Sequence, residues 1–416
     1  MSQKSAVKLA FILVTSLFFL WAFLHNINPI LIPHLKKACQ LSDARSALID
    51  SAVYMGYFLA AIPAGLYMQK FGYKKGIIFG LILYAVGALL FIPAASSLSF
   101  VSFLTALFIM ASGATFLETV ANPYITKLGS PETATQRLNF AQSFNGVGAF
   151  IAPIIGGMFI LSGVEHSPEE LNAFSPEQLN TYLAAEASTV KVPYILIGLI
   201  VLALALVFKF VSIPEFKSDD AGHAQSFSLK LLKNKNVLMA VLSQFVYVGG
   251  QVCVGSFFIR FARYTGDIGE KNAAYLWGSI AMVGFMVGRF IGTWLMGKIK
   301  PARLLMIYGI ISTILMFGTV FLDGNIAVYA LMATPFFMSI MFPTIFSLGL
   351  EGLEEKDSQI ASALLVMAIV GGAIFPVMQG YLSDANGGNI QISYLIPMVC
   401  FALVAAYGWF KSSSKV

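Results

Sequence analysis

Apolar residues along this chain come in long continuous runs, neither alternating in strands nor confined to one face of short helices. A helix needs about 20 mostly apolar residues to cross the hydrocarbon core of a bilayer. The chain offers twelve such runs, at about 8–34, 47–69, 75–95, 98–126, 138–163, 191–213, 237–264, 272–297, 303–322, 325–350, 358–381 and 391–411. Helices satisfy their backbone bonds within one segment, whereas a membrane β-barrel would show short alternating strands. Pro29, Pro33, Pro123, Pro153, Pro343 and Pro376 fall inside these runs, and such breakers are tolerated within a membrane bundle. The pattern predicts an all-α membrane protein of twelve transmembrane helices.

Two polar stretches stand out, 164–190 and 214–236. The second divides the chain into a half of six predicted helices (1–213), a linker (214–236) and a second half of six (237–416). The halves look related. Gly148, Pro153 and Gly157 of the fifth run each lie 223 residues before Gly371, Pro376 and Gly380 of the eleventh. Pro123 and Leu128–Gly129 of the fourth run match Pro343 and Leu348–Gly349 of the tenth at an offset of 220. A basic loop follows the second run (Lys70, Lys74, Lys75) and another follows the eighth (Lys298, Lys300, Arg303). Two six-helix repeats about an axis along the membrane normal form a transporter architecture, with substrate held between them near the midplane.

Composition agrees. Hydrophobic residues make up 58% of the 416 positions, charged residues 11%, and mean hydropathy is +0.79. A soluble domain carries roughly 25% charged residues. Cys39, Cys253 and Cys400 are scattered, as are the four histidines, so neither a disulfide framework nor a metal site is expected. The net charge of +6 and pI of about 9.0 fit basic cytoplasmic loops better than nucleic-acid binding. With both termini cytoplasmic, 18 of the 26 Lys and Arg residues fall on that side, seven on the other, and Arg289 lies within a run. The expected location is a bacterial inner membrane, crossed many times, with lipid as the surrounding partner. Lys4 and Lys8 precede an apolar run too long for a cleaved signal. No phosphate-binding G-x-x-x-x-G-K-[ST] stretch and no nucleophile setting is present. An enzyme, a bound cofactor and ATP-driven transport are therefore not expected.

An ionisable group deep in a membrane helix is costly and marks a functional candidate. Glu118, in ASGATFLETVANPY, lies about two thirds of the way along the fourth run. Low dielectric favours the neutral form of a carboxyl, so one held there can load and release a proton as its surroundings change; the plainer alternative is a structural hydrogen bond near Pro123. Amides surround it in the pattern. Asn122 lies one turn on, Asn139, Gln142 and Asn145 run at i, i+3, i+6, Gln244, Tyr247 and Gln251 run at i, i+3, i+7, and His25 shares a face with Asn28, with Asn26 between them. Amides match the donor–acceptor hydroxyls of a sugar without adding charge, while a charged substrate would call for Arg or Lys clamps. Each amide stripe alone could be interhelical glue; together they would line a polar cavity. Trp277 could stack on a sugar ring or simply pack. Lys74, Lys75, Arg137 and Arg289 sit where residues set topology or latch an inner gate.

SLFFLWAFLHNINPILIPHL, SAVYMGYFLAAIPAGLYMQKFGYKKG, FLETVANPYITKLG, QRLNFAQSFNGVGA, SQFVYVGGQ, VGRFIGTWLM and FPTIFSLGLEGL resemble the fucose–galactose–glucose:proton symporters of the major facilitator superfamily. The likeness runs along nearly the whole chain. It implies a twelve-helix fold in two pseudo-symmetric halves, rocking alternating access and proton symport. It implies roles in sugar recognition and coupling for Glu118, and site positions for Gln142, Asn145 and Asn26. The implied activity is proton-coupled sugar import by a monomer, with L-fucose first and glucose, galactose or N-acetylglucosamine as alternatives. A membrane sugar sensor is a rival from another class. Two departures stand out. Pro29 occupies the position of the family's second carboxylate, and Phe342 precedes Pro343 where a Tyr is usual. His25, beside the altered motif, either replaces the missing acid or merely packs; an unperturbed imidazole titrates at about 6.5.

The Lys and Arg bias places residue 225 in the cytoplasm. A single cysteine there is expected to resist an impermeant maleimide in intact cells and to react after lysis; rapid labelling in intact cells would reverse the topology.

Overall fold

The computed structural model describes residues 3–26, 48–159, 173–216 and 229–413, with residues 31, 35, 38–40 and 170 between them. The chain enters through α1 (Gln3–His25), α2 (Leu48–Phe71), α3 (Tyr73–Ser97), α4 (Phe100–Lys127) and α5 (Ala134–Phe159). A short helix, α6 (Pro176–Ser188), precedes α7 (Lys191–Phe210). The seventh span is broken at Phe257 into α8 (Lys235–Ser256) and α9 (Phe258–Gly266). The eighth comprises α10 (Glu270–Tyr275), a π-helical turn (Leu276–Ala281) and α11 (Met282–Leu295). Then come α12 (Pro301–Phe321), the pair α13 (Gly324–Met338) and α14 (Met341–Leu350), the pair α15 (Glu355–Met367) and α16 (Gly371–Ala385), and α17 (Leu395–Ser413). Among the described residues, 11 helical stretches are long and apolar enough to cross a membrane. The remaining predicted span is α5, whose far end runs into residues outside those described.

The structure differs from the sequence pattern in three places. The first run was expected to stay helical to residue 34, but α1 ends at His25, and Asn28 and Pro29 lie outside the described residues. Part of the polar stretch 164–190 is helical as α6, held by a capping box in which Ser175 and Gln178 bond each other's backbone amides; such boxes satisfy otherwise orphaned donors at a helix start. The seventh, eighth, tenth and eleventh spans are segmented, because tertiary contacts in a bundle can satisfy the groups that a break releases.

Glycines let the spans approach closely. A Cβ on Gly87 would lie 2.4 Å from the backbone nitrogen of Met110, and one on Gly113 would lie 2.4 Å from that of Tyr84. Small residues at a crossing allow the backbone approach that drives association in lipid, where no hydrophobic force favours one helix over a lipid tail. The repeat seen in the sequence is also seen in packing. A Cβ on Gly148 of α5 would lie 2.6 Å from the Phe19 carbonyl of α1, and one on Gly371 of α16 would lie 2.1 Å from the Phe245 carbonyl of α8. The fifth span thus sits on the first as the eleventh sits on the seventh.

Between the halves, α2 lies along α15, with Gly65 against Ala363, and α5 lies along α11. Several hydrogen bonds that cross between the halves gather at one end of the bundle. Glu355 at the start of α15 pairs with Lys127 at the end of α4 and accepts from the Tyr73 hydroxyl at 2.5 Å. Gln69 Nε2 donates to the Lys356 carbonyl at 3.0 Å, Thr135 and Ser347 share a hydroxyl bond of 2.9 Å, and Gln136 Nε2 donates to the Thr293 carbonyl at 3.2 Å.

Gly87→Ala and Gly113→Ala are each expected to lower the thermal midpoint of the purified protein, since overpacking a filled site costs about 1–3 kcal/mol. Gly284→Ala, where a Cβ meets nothing within 4 Å, is the control and should leave the midpoint in place.

Candidate functional site

The fourth span supplies the centre of the site. From Met110 to Ile125 every residue of α4 is buried, because the helix is surrounded by α2, α3, α5 and α15. A polar side chain on this stretch must therefore find its partner inside the protein. Glu118 does so with the hydroxyl of Tyr57 on α2. One turn on, Asn122 is fully buried, and its Oδ1 accepts from Gln142 Nε2 of α5 at 3.0 Å. Its own Nδ2 has no partner among the described residues. Carboxyl, Asn and Gln thus form one buried polar row crossing from α4 to α5.

The row continues into the other half through Arg289 of α11, which is only 3% exposed. Arg289 Nη1 donates to the Gln142 backbone carbonyl at 2.6 Å, and its Nε donates to the Ser339 carbonyl at 2.7 Å. The guanidinium also lies over the Phe285 ring, 4.5 Å from its centroid. Ser339 stands at the break between α13 and α14. At the same break, the Tyr247 hydroxyl of α8 donates to the Met338 carbonyl at 2.9 Å.

The remaining sequence candidates divide clearly. Asn139 is buried and binds the Thr135 carbonyl at 2.9 Å and the Thr344 hydroxyl of the other half at 3.2 Å, which makes it interhelical glue. Asn145, one turn beyond Gln142, is half-buried. Asn26 is half-buried and turns its Nδ2 back to the Ala22 carbonyl at 2.8 Å. Asn28 and the His25 side chain lie outside the described residues. Gln244 is fully buried with neither amide atom partnered among the described residues, and Gln251, two turns on, is half-buried. Trp277 lies in the π-helical turn, packed on Phe258 at 4.9 Å between ring centroids and facing Gly255; its ring is occupied by aromatic packing in this conformation.

Of the four residues assigned to gating or topology, only Arg289 bridges the halves. Lys74 Nζ binds the Lys209 carbonyl at 3.1 Å, while Glu215, at the start of the linker, accepts from the Tyr73 and Lys74 amides at 3.2 and 3.0 Å and caps α3. Lys75 lies over the Phe71 ring. Arg137 clamps its own loop through the carbonyls of Ile125, Thr126 and Ser130. Two residues escaped the sequence reading. Tyr57 sits among apolar neighbours in an ordinary aromatic run, which carries no signal. Glu355 belongs to a charge run, LEEKD, that reads as a solvated loop.

Residues 10–376 match the family model of the Major Facilitator Superfamily. The chain belongs to that superfamily. It is 42% identical over 420 residues to the L-fucose-proton symporter of Escherichia coli (strain K12), covering 99% of this chain and 95% of that protein. It is 40% identical over 407 residues to the glucose/galactose transporter of Brucella abortus biovar 1, covering 96% and 93%. Among solved structures, the transporter FucP in its outward conformation superposes with a TM-score of 0.90 at 40% identity, over 98% of this chain and 100% of that one. These likenesses place the chain in the branch that the sequence motifs resemble. They fit twelve membrane helices in two six-helix halves, and they make it a multi-pass membrane protein.

Proposed function

We propose that this chain is a proton-coupled sugar importer of a bacterial inner membrane, with L-fucose as its first substrate and glucose or galactose as the second reading. The observation that carries the proposal is the buried row of Glu118, Asn122 and Gln142: one proton-exchanging group next to neutral amides suited to hydroxyls. The relative that transports L-fucose with a proton is 42% identical, which supports the first sugar. The glucose/galactose transporter, at 40% identity, supports the second almost equally, and Pro29 and Phe342 depart from the fucose pattern at two positions.

In this reading Asn26, Gln142, Asn145 and Gln244 recognise sugar hydroxyls beside Glu118 and Asn122, with Asn28, Tyr247 and Gln251 around them. Residues 1–213 and 237–416 are the two rocking bodies, and 214–236 is the cytoplasmic linker. The end closed by Lys127, Tyr73 and Glu355 is the cytoplasmic one, so this conformation faces outward, in keeping with the outward conformation of the matching FucP structure. Sugar and a proton bind from outside, the halves rock, and both leave inside. Sugar shifts the balance of the two states only as far as it binds one better than the other. The transporter works without a resident cofactor or metal.

Glu118→Gln keeps a hydrogen-bonding side chain but cannot exchange a proton. It is expected to abolish uphill accumulation driven by a pH gradient while equal-pool sugar exchange persists, because exchange moves no net proton. His25→Gln is expected to retain sugar-induced proton uptake in the purified protein. The opposite pattern in the two variants would move the coupling site to the first span.

The sugar itself is assigned by uptake in proteoliposomes, with labelled L-fucose competed by glucose, galactose and N-acetylglucosamine, with and without a pH gradient. Uptake of L-fucose that rises with an inward proton gradient is the expected result. Absence of uptake for every sugar in the panel would remove the sugar reading.

A further inference from the structure

Proline leaves a helix with a free carbonyl four residues before it, because it has no N–H to donate. Pro123 in the fourth span releases the carbonyl of Thr119, and Pro343 in the tenth releases that of Ser339. These two prolines are the repeat-related pair offset by 220 residues, and so are Thr119 and Ser339. Neither carbonyl is left unpaired. The Ser362 hydroxyl of α15, in the second half, donates to the Thr119 carbonyl at 2.6 Å. Arg289 Nε donates to the Ser339 carbonyl at 2.7 Å, and the same guanidinium reaches across to the Gln142 carbonyl of the first half at 2.6 Å.

Neighbouring helices often satisfy a carbonyl freed by proline in a membrane, so partnership alone says little. The placement says more. The Ser362–Thr119 bond joins the two halves directly, and Arg289, anchored on Ser339 in its own half, crosses to Gln142 through Nη1, so both crossings end on the candidate site. Thr119 adjoins Glu118, and Gln142 is the amide that holds Asn122. Ser362 and Thr119 are fully buried. Among the described residues no carboxylate pairs with Arg289, whose hydrogen bonds go to backbone carbonyls. A buried cation without a counter-ion is expensive to keep, and a purely structural contact could use a neutral donor instead.

We infer that Ser362 and Arg289 are positioning residues of alternating access. They form a two-point latch: Ser362 grips the proline-released carbonyl of Thr119 across the interface, and Arg289, anchored on the proline-released carbonyl of Ser339 in its own half, crosses to Gln142, so the halves are held together directly behind the coupling carboxyl and the sugar-facing amide. Occupancy of the site would then be felt at the contact between halves through the backbone of α4 and α5, without a long chain of side chains. The inference rests on the proposed role of Glu118 and Gln142, but its test needs no sugar.

Spin labels at Glu132→Cys and Asp357→Cys, exposed positions on opposite halves at the closed end, report the separation of the halves by double electron–electron resonance after Cys39, Cys253 and Cys400 are replaced. In sugar-free protein, Ser362→Ala and Arg289→Lys are each expected to raise the ratio of long- to short-distance populations. Loss of one net hydrogen bond predicts a change of roughly fivefold. Ser362→Ala deletes a single hydroxyl, so the test survives even where the arginine variant folds poorly. Unchanged distances in both variants, or a change in Arg289→Lys alone, would overturn the two-point latch. Failure of every sugar in the uptake panel, with the distances still shifting, would instead remove the sugar reading and leave the latch standing.

Discussion

In hydrocarbon, every backbone N–H and C=O must be satisfied by protein. That constraint explains why the chain is helical throughout its spans, and it also decides where the helices are allowed to break. Each break releases polar groups that must be met by a neighbour, so breaks and contacts between helices are placed together. The segmented tenth span is the clearest case. Its exposed carbonyls at Met338 and Ser339 are taken by Tyr247 and Arg289, and the span beside Glu118 meets the same demand through Ser362.

The same constraint gives the polar row its meaning. Glu118, Asn122, Gln142 and Arg289 occupy a region where each unpaired group would be costly, and their bonds link α2, α4, α5 and α11. The closing ion pair at one end, where Lys127 meets Glu355, is less buried and more readily exchanged for water. A bundle built this way has a tight interior that can hold a neutral polar substrate and a softer end that can part. The glycine approaches of α3 on α4 and of α5 on α1 in the first half, and of α16 on α8 in the second, keep each half rigid enough to move as a body.

The twelve runs, the cost of charge within them, the repeat offsets of 223 and 220, and Glu118 as the leading buried acid were all legible in the sequence, because a bilayer imposes length and polarity rules on each segment separately. Tertiary structure decided what no single segment can encode. It turned Asn26 back onto its own helix, made Asn139 a bridge between halves, confined Lys74, Lys75 and Arg137 to the first half, and left Arg289, of those four cations, as the one that spans the interface. It also revealed Tyr57 and Glu355, whose roles depend on partners 61 and 228 positions away, Glu118 and Lys127. A hydrogen bond depends on where two segments meet, and hydropathy along one segment carries no record of which neighbour it will face.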